Sequence, residues 1–140
     1  FYNINNNFQL NENSILKNYK IDLNNNSNIF YSKTKIELYK NSISENFIIS
    51  SGSECSKNEI ECDLKERFSS AFVNGIINLD VSKQHEIRSK INHLSENTKS
   101  YQLIKCALKD KSKAVYQGKI FVDSVAQKTD GDINLAKQSF

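Results

Sequence analysis

Apolar and polar residues alternate with a period of two along much of this chain, whereas a helical period is weak throughout. The alternation is clear over residues 35–40, 60–64 and 86–93. Because successive side chains of a strand point to opposite faces of a sheet, this pattern predicts half-buried β-strands. The runs are short, rich in β-branched residues and separated by polar residues, which predicts an all-β fold. Residues 114–122 are predicted to form a pair of strands with a bend at Gly118.

Two asparagine tracts, Asn5–Asn7 and Asn24–Asn26, interrupt the first third of the chain. Lys, Ile and Ser are also abundant, as in a protein from an AT-rich genome, so asparagine content alone says little. We interpret the tracts as loops or insertions. The alternative is that they form turns between the strands of a solenoid, where stacked asparagine side chains hydrogen-bond to one another.

The chain also contains an internal repeat. At a spacing of 44 residues, the matching residues are Cys62, Leu64 and Lys65 with Cys106, Leu108 and Lys109. At a spacing of 43, they are Ala71, Gly75, Ile77 and Asp80 with Ala114, Gly118, Ile120 and Asp123. Self-similarity at a fixed spacing of ~20–50 residues indicates a stacked architecture.

Each repeat unit is predicted to contain a strand, a charged turn, a second strand, a bend at glycine and a third strand. One such unit cannot bury its apolar side alone, but stacked units can. We therefore predict a parallel β-helix with two or three coils per unit. Cys62 and Cys106 are then explained as small apolar residues stacked in register inside the coils, in preference to a metal or redox role.

Charge and hydropathy argue against two classes of partner. The net charge is +3, and Lys and Glu alternate over residues 58–67 and 83–90. This mixture predicts a solvated surface rather than a basic face for nucleic acid. Apolar runs fall far short of the roughly 18–20 residues that a membrane-spanning helix needs. We expect neither a nucleic-acid partner nor a membrane partner.

The cysteines and the missing methionine bear on compartment and completeness. Cys55, Cys62 and Cys106 are odd in number and match no zinc or ferredoxin spacing. We assign them no functional role, and they favour reducing, cytosol-like surroundings. The chain has no methionine, so we expect it to be a segment of a longer protein.

The two histidines are the first candidates for metal ligands. If His85 and His93 lie on one continuous strand, they share a face but stand roughly 26 Å apart at ~3.3 Å per residue. That distance is too great for both to bind one ion, although a bend between them would shorten it. We expect structural hydrogen bonds from both residues.

The remaining polar candidates give no catalytic site. Asp123, Asp130 and Asp132 lack a partner carboxylate held close enough for acid–base catalysis. We predict a turn over residues 129–131, because Asp-Gly suits tight turns. We expect Lys105 either to lie on the surface or to help pack one coil on the next. The sequence therefore assigns no catalytic, cofactor-binding or metal-binding residue.

Residues 84–131 carry an ordered set of motifs that resembles the core of the SufB/SufD family. These are Gln84-His85-Glu86, Asn92-His93-Leu94, Ser100-x-Gln102-x-x-Lys105, Lys113–Val122 and Ala126-Gln127-Lys128-Thr129-Asp130-Gly131. The Ala-Gln-Lys-Thr-Asp version resembles the SufD branch. Departures include Lys57 and Glu66, where the family has Arg and Gly, and the segment after Gly131. Residues 1–50 resemble the family only in their general residue pattern and share no specific motif with it.

The resemblance implies a right-handed parallel β-helix, with residues 1–140 forming part of a single core domain. It also implies a non-catalytic scaffold in SUF iron–sulfur cluster assembly, pairing with SufB through the β-helices. A SufC ATPase would bind a region beyond residue 140, where the family's cluster-linked Cys/His pair also lies. The chain itself would bind no cofactor, because the parent complex handles the Fe–S cluster. The expected location is a bacterial cytoplasm or the stroma of a plastid or other organelle.

Two other functions remain open at this point. A carbohydrate-active or carbohydrate-binding β-helix would use carboxylate clusters on one face of the solenoid. The scarcity of aromatic–carboxylate groupings after Leu64 counts against it. A purely structural, adhesin-like solenoid is the other possibility, and the free cysteines argue mildly against it.

Overall fold

The structure is a computed structural model that describes residues 1–23 and 27–139. Within these residues every regular element is a β-strand, and there is no helix. The ten strands are β1 Tyr2–Leu10, β2 Ile15–Asp22, β3 Ile29–Leu38, β4 Ile43–Ser50, β5 Cys55–Leu64, β6 Ser70–Leu79, β7 Gln84–His93, β8 Lys99–Leu108, β9 Lys113–Val122 and β10 Asp130–Ser139.

The strands form two five-stranded parallel sheets. The first sheet has the order β1-β3-β5-β7-β9, and the second has the order β2-β4-β6-β8-β10. The chain therefore adds one strand to each sheet per coil and completes five coils. In the strand register, Ile29 pairs with Cys55 and Lys99 pairs with Asp130. One coil therefore takes between 26 and 31 residues. The all-β parallel β-helix predicted from the sequence is confirmed.

The core lies between the two sheets, where alternate side chains of every strand meet. Two clusters of buried apolar residues fill it, one around Ile36, Cys62 and Leu64 and the other around Ile77 and Ile104. Burying one such side chain completely stabilises the fold by roughly 1.5–3 kcal/mol. The period-two pattern in the sequence reflects this single buried face of each strand.

The internal repeat has a different meaning from the predicted one. Cys62 lies on β5 in the first sheet, whereas Cys106 lies on β8 in the second. The repeat therefore spans about one and a half coils, not two or three. Cys62 stacks between Ile36 and Ile91, and the two cysteines do not stack on each other. Both are buried, so their interpretation as core residues is confirmed.

The predicted glycine bends are also wrong. Gly75 and Gly118 lie inside β6 and β9, and residues 114–122 belong to one continuous strand. A Cβ atom on Gly75 would lie 2.8 Å from Cδ1 of Ile104, and one on Gly118 would lie 2.7 Å from the hydroxyl of Tyr116. These glycines therefore make room for large side chains of the neighbouring strand or the same strand.

Asparagine has two structural roles in the coils. Asn5–Asn7 lie within β1, so their interpretation as a loop is wrong; the tract at 24–26 lies outside the described residues. Asn13, Asn41 and Asn97 sit in turns between the sheets with φ of 62°, 55° and 54°. Asparagine tolerates this left-handed conformation better than most residues, so it suits the ends of the coils.

Candidate functional site

His85 begins the inward-facing row of β7 and is 2% exposed. Its Nε2 lies 2.7 Å from the carbonyl oxygen of Ser53, and its Nδ1 lies 2.7 Å from Oγ of Ser50. Because a carbonyl can only accept, Nε2 carries the proton and Nδ1 accepts from the Ser50 hydroxyl. Burial lowers the pKa of His85, which keeps this ring neutral.

His93 occupies the other end of β7 and is completely buried. Its Nδ1 lies 2.7 Å from Oγ1 of Thr98, and its Nε2 lies 2.9 Å from Oγ of Ser100. Burial lowers the pKa of His93, and the charge of Asp130 opposes that shift. Since β7 is continuous, the two histidines stand at opposite ends of a ten-residue strand. The prediction of structural hydrogen bonds is confirmed for both.

A chain of hydrogen bonds runs through the interior toward His85. Nζ of Lys20 donates to Oγ of Ser32 at 2.7 Å, and that hydroxyl donates to Oδ1 of Asn58 at 2.9 Å. Nδ2 of Asn58 then donates to Oγ of Ser56 at 3.1 Å. Burial lowers the pKa of Lys20 to about 8. The chain joins strands of both sheets, so its polar groups help to hold the coils in register.

A second polar group links β7, β8 and β9. The hydroxyl of Ser89 donates to Oε1 of Gln102 and lies 2.9 Å from the hydroxyl of Tyr116. The Tyr116 hydroxyl also donates to Oε1 of Gln102 at 3.3 Å. Nε2 of Gln102 and Oγ1 of Thr34 are buried without a hydrogen-bond partner. Neither polar group presents an ionised pair or an activated nucleophile.

The cysteines differ in exposure, but the structure gives none of them a metal-binding partner set. Burial raises the pKa of the Cys62 thiol and that of Cys106, so thiolate formation is disfavoured at both. Cys55 is exposed. In residues 1–23 and 27–139, no group of three or more His, Cys, Asp or Glu side chains is placed to hold a metal ion.

The acidic residues near the end of the chain are dispersed. Asp123 caps the β9–β10 connection by accepting bonds from Ser124 Oγ and Val125 N, each at 3.2 Å. Asp130 and Gly131 belong to β10, so the predicted turn over 129–131 is wrong. A Cβ atom on Gly131 would lie 3.2 Å from Ser100 Oγ, which explains the glycine by close packing on the neighbouring coil.

The outer face of the first sheet carries an ion-pair ladder. Glu59 accepts from Lys57 at 2.9 Å and from the Tyr31 hydroxyl at 3.0 Å, and Glu61 pairs with Lys90 at 3.1 Å. The hydrogen bond from Lys57 lowers the pKa of Glu59. Because these carboxylates are engaged with cations, the face does not offer the free carboxylate cluster that glycoside hydrolysis requires.

The outer face of the second sheet carries a cluster of large apolar side chains among polar ones. We call it the apolar face; its large members are Tyr19, Phe47, Ile49, Phe72, Ile76, Tyr101 and Leu103. Tyr19 is 66% exposed and Ile76 is 39% exposed. Sequence reasoning missed this surface. Its signal was the unbroken apolar runs such as 47–49, since a strand covered on both faces loses its alternation.

The sequence-predicted surface residue Lys105 lies on this second sheet and is exposed. Its register partners are Ile76 on β6 and Ala136 on β10. It stands apart from both histidines, whose side chains point into the interior. The part of the chain that the structure describes also contains no helix long and apolar enough to cross a membrane.

Comparison with family models gave a match. The family described as SUF system FeS cluster assembly, SufBD core domain, matches residues 1–136. The match begins at the first residue and so includes residues 1–50, which resembled the family only in their general residue pattern. Neither the curated proteins nor the solved structures gave a match.

Proposed function

The chain belongs to the family of SufBD core domains and takes part in SUF iron–sulfur cluster assembly, and we propose that it does so as a non-catalytic scaffold of the SufD type. The observation that carries the proposal is the family match over residues 1–136 of a five-coil solenoid. The Fe–S cluster is then the cargo of the assembled complex rather than a cofactor of this chain.

A scaffold role fits the way the chain uses its polar side chains. His85, His93 and Lys20 all face the interior and hydrogen-bond to groups on neighbouring strands or turns. Side chains used in this way stabilise the stacked coils instead of meeting a substrate. Members of the family generally act as non-catalytic assembly scaffolds. The inward placement of these polar side chains supports the same role for this chain.

The SufD assignment rests on the segment Ala126–Asp130, which resembles the SufD version of the family motif. In the fold this segment connects β9 to β10, and Ala126 is buried. The Gln127 carbonyl accepts from the backbone N–H of Asn97 at 2.9 Å. The motif therefore helps to dock one coil on the previous one.

We propose SufB as the direct partner and place its contact at a sheet edge. Unpaired main-chain groups of an edge strand recruit a partner strand by hydrogen bonding. SufC would bind a region outside this chain. The three free cysteines fit a reducing compartment, either a bacterial cytoplasm or an organelle stroma.

The test is co-expression of the protein containing this chain with SufB and SufC from the same source. We expect a stable complex that survives affinity purification and size exclusion. A parallel co-expression with SufB alone separates direct pairing from bridging by SufC. A well-folded protein that binds neither subunit would contradict the scaffold proposal. Association with SufC but not with SufB would contradict the edge-pairing step.

A further inference from the structure

The motif Ser100-x-Gln102-x-x-Lys105 has one member that the fold does not account for. Inside the solenoid, Oγ of Ser100 lies 2.9 Å from Nε2 of His93, and Oε1 of Gln102 accepts a hydrogen bond from Ser89. Lys105 instead points outward from β8 and is exposed. Within the described residues it makes neither a hydrogen bond nor an ion pair through its side chain. Its role must therefore lie outside the packing of the coils.

Lys105 is a cation without a counter-charge around it. The outward positions nearest to it on β6, β8 and β10 hold no carboxylate; they are Asn74, Ile76, Asn78, Leu103, Ala107, Asn134, Ala136 and Gln138. On the first sheet, in contrast, Lys90 pairs with Glu61 on the adjacent strand at 3.1 Å. The second sheet therefore presents an unpaired ammonium group among apolar and amide side chains.

Three rows of outward side chains on β4, β6 and β8 connect Lys105 to the centre of the apolar face. The rows are Glu45–Phe72–Tyr101, Phe47–Asn74–Leu103 and Ile49–Ile76–Lys105. The carboxylate in these rows, Glu45, is paired with Lys17 at 3.8 Å. Each of the three strands is hydrogen-bonded to a strand on both sides, so the rows lie within the sheet and away from its edges.

The three rows have the dimensions of one α-helix. Two strand spacings of ~4.8 Å make them ~10 Å wide, and four residues at ~3.3 Å separate Phe72 from Ile76 by ~13 Å. A helix is ~10–12 Å in diameter and rises ~1.5 Å per residue, so about ten residues cover the rows. A hollow of about 300 Å³ beside Phe47 and Phe72 has room for one of its apolar side chains. Apolar patches of this kind mark interaction sites.

We propose that the apolar face binds an amphipathic α-helix of a partner protein, and that an acidic side chain of this helix pairs with Nζ of Lys105. Any surface that covers Ile76 and Leu103 also removes water from the ammonium group between them. Burying an unpaired charge is strongly unfavourable, so a partner that covers this face must bring a carboxylate. A helix supplies it at the end next to Lys105, while its apolar side packs on Phe72 and Leu103.

This contact is separate from the proposed pairing with SufB. SufB would use main-chain groups at a sheet edge, whereas the helix uses side chains on the face of the second sheet. Failure of the co-expression test with SufB leaves helix binding intact, and loss of helix binding leaves the edge intact. The two proposals therefore fail independently.

Two matched peptides test the binding chemistry on the whole protein that contains this chain. Each has about 18 residues, because shorter helices are marginal in water, with leucines at helical spacing; one carries glutamate beside the apolar stripe and its twin carries lysine there. By fluorescence anisotropy, we expect the glutamate peptide to bind roughly fivefold more tightly than its twin. Lys105→Glu should reverse this preference. Phe72→Ser should weaken both peptides.

Lys33→Glu is the matched control, because Lys33 is exposed on the outer face of the first sheet and its reversal changes the net charge equally. It should leave both affinities unchanged. Circular dichroism checks that each variant folds. Equal binding of the two peptides, no binding of either, or equal effects of Lys33→Glu and Lys105→Glu would overturn the proposal.

A labelling experiment identifies what covers the face. In a Cys55→Ser background, Asn74→Cys places a thiol between Phe47 and Leu103. We expect rapid reaction with a maleimide in the free protein and roughly tenfold slower reaction with the glutamate peptide at ten times its Kd. A thiol that is unreactive without peptide would indicate cover by the protein's own chain. Protection by higher protein concentration would indicate a second copy, and protection by phosphatidylglycerol vesicles alone would indicate a lipid surface. Each of these three results would overturn the proposed occupant.

Discussion

At the scale of single residues, burial explains most of the polar side chains that looked like candidates for chemistry. His93 continues a stacked row whose earlier members are Leu10, Leu38 and Leu64. The position would accept leucine by shape, yet Thr98 and Ser100 place hydroxyls on both ring nitrogens. The imidazole is therefore a hydrogen-bonding core residue.

Replacing His93 with leucine should lower the free energy of unfolding by about 1–3 kcal/mol, because it leaves the buried hydroxyl of Ser100 unpaired and removes one of the two partners of the Thr98 hydroxyl, which also donates to the Ser95 carbonyl. The triple variant His93→Leu/Thr98→Val/Ser100→Ala removes both partners as well and should recover part of the loss, because it also gives up the Thr98 bond to the Ser95 carbonyl. Urea unfolding measures the two values. A triple variant that is less stable than the single variant would contradict this account.

The same histidines predict a pH dependence of stability. Burial lowers the pKa of both rings in the folded state, so below the usual value of ~6.5 the unfolded chain binds protons that the folded chain does not. The free energy of unfolding should therefore fall as pH decreases from 7 toward 5. The slope should be smaller in the His93→Leu triple variant. Stability that stays level over this range would exclude buried neutral histidines.

At the scale of the elements, the left-handed turn residues carry a ladder of their own. Backbone N–H groups of Asn13, Asn41 and Phe68 donate to carbonyls of Lys40, Arg67 and Asn97 on the next coil at 3.0, 3.3 and 3.1 Å. Asn97 continues the series to Gln127 at 2.9 Å. The turns therefore stack as the strands do, which is why strand register persists across coils of unequal length.

Close packing between neighbouring strands explains a glycine inside a strand. Gly75→Ala should destabilise the protein by about 1–3 kcal/mol, because the new methyl group overlaps Cδ1 of Ile104. Ile104→Val removes that carbon atom, so the double variant should be more stable than Gly75→Ala alone. Thermal unfolding of the two variants and of Ile104→Val gives the coupling. Simple additivity of the two changes would show that the contact is unimportant.

At the scale of the whole molecule, a solenoid distributes its stability among neighbouring coils rather than around one centre. Leu64 lies in the central coil and is completely buried between Leu38 and His93. Ile76 lies on β6 with its side chain on the outer face and is 39% exposed. The same substitution should therefore have very different effects at the two positions.

Leu64→Ala should lower the free energy of unfolding by about 2–5 kcal/mol, through lost apolar burial and the cavity that remains. Ile76→Ala is the control on the outer face and should change it by about 1 kcal/mol or less. Guanidinium unfolding followed by circular dichroism compares them. Equal losses would mean that an outward side chain contributes as much to stability as an inward one.

The sequence by itself determined the all-β class, the stacking of coils and the family, because period-two alternation and ordered motifs are local features. It also indicated that His85 and His93 are too far apart to share an ion. Only the tertiary structure decided the length of a coil, since the repeat beginning at Cys62 returns on the opposite sheet. The tertiary structure also decided the chemistry of the two outer faces. Residues on one face come from strands 26 to 31 residues apart, so no local pattern brings them together.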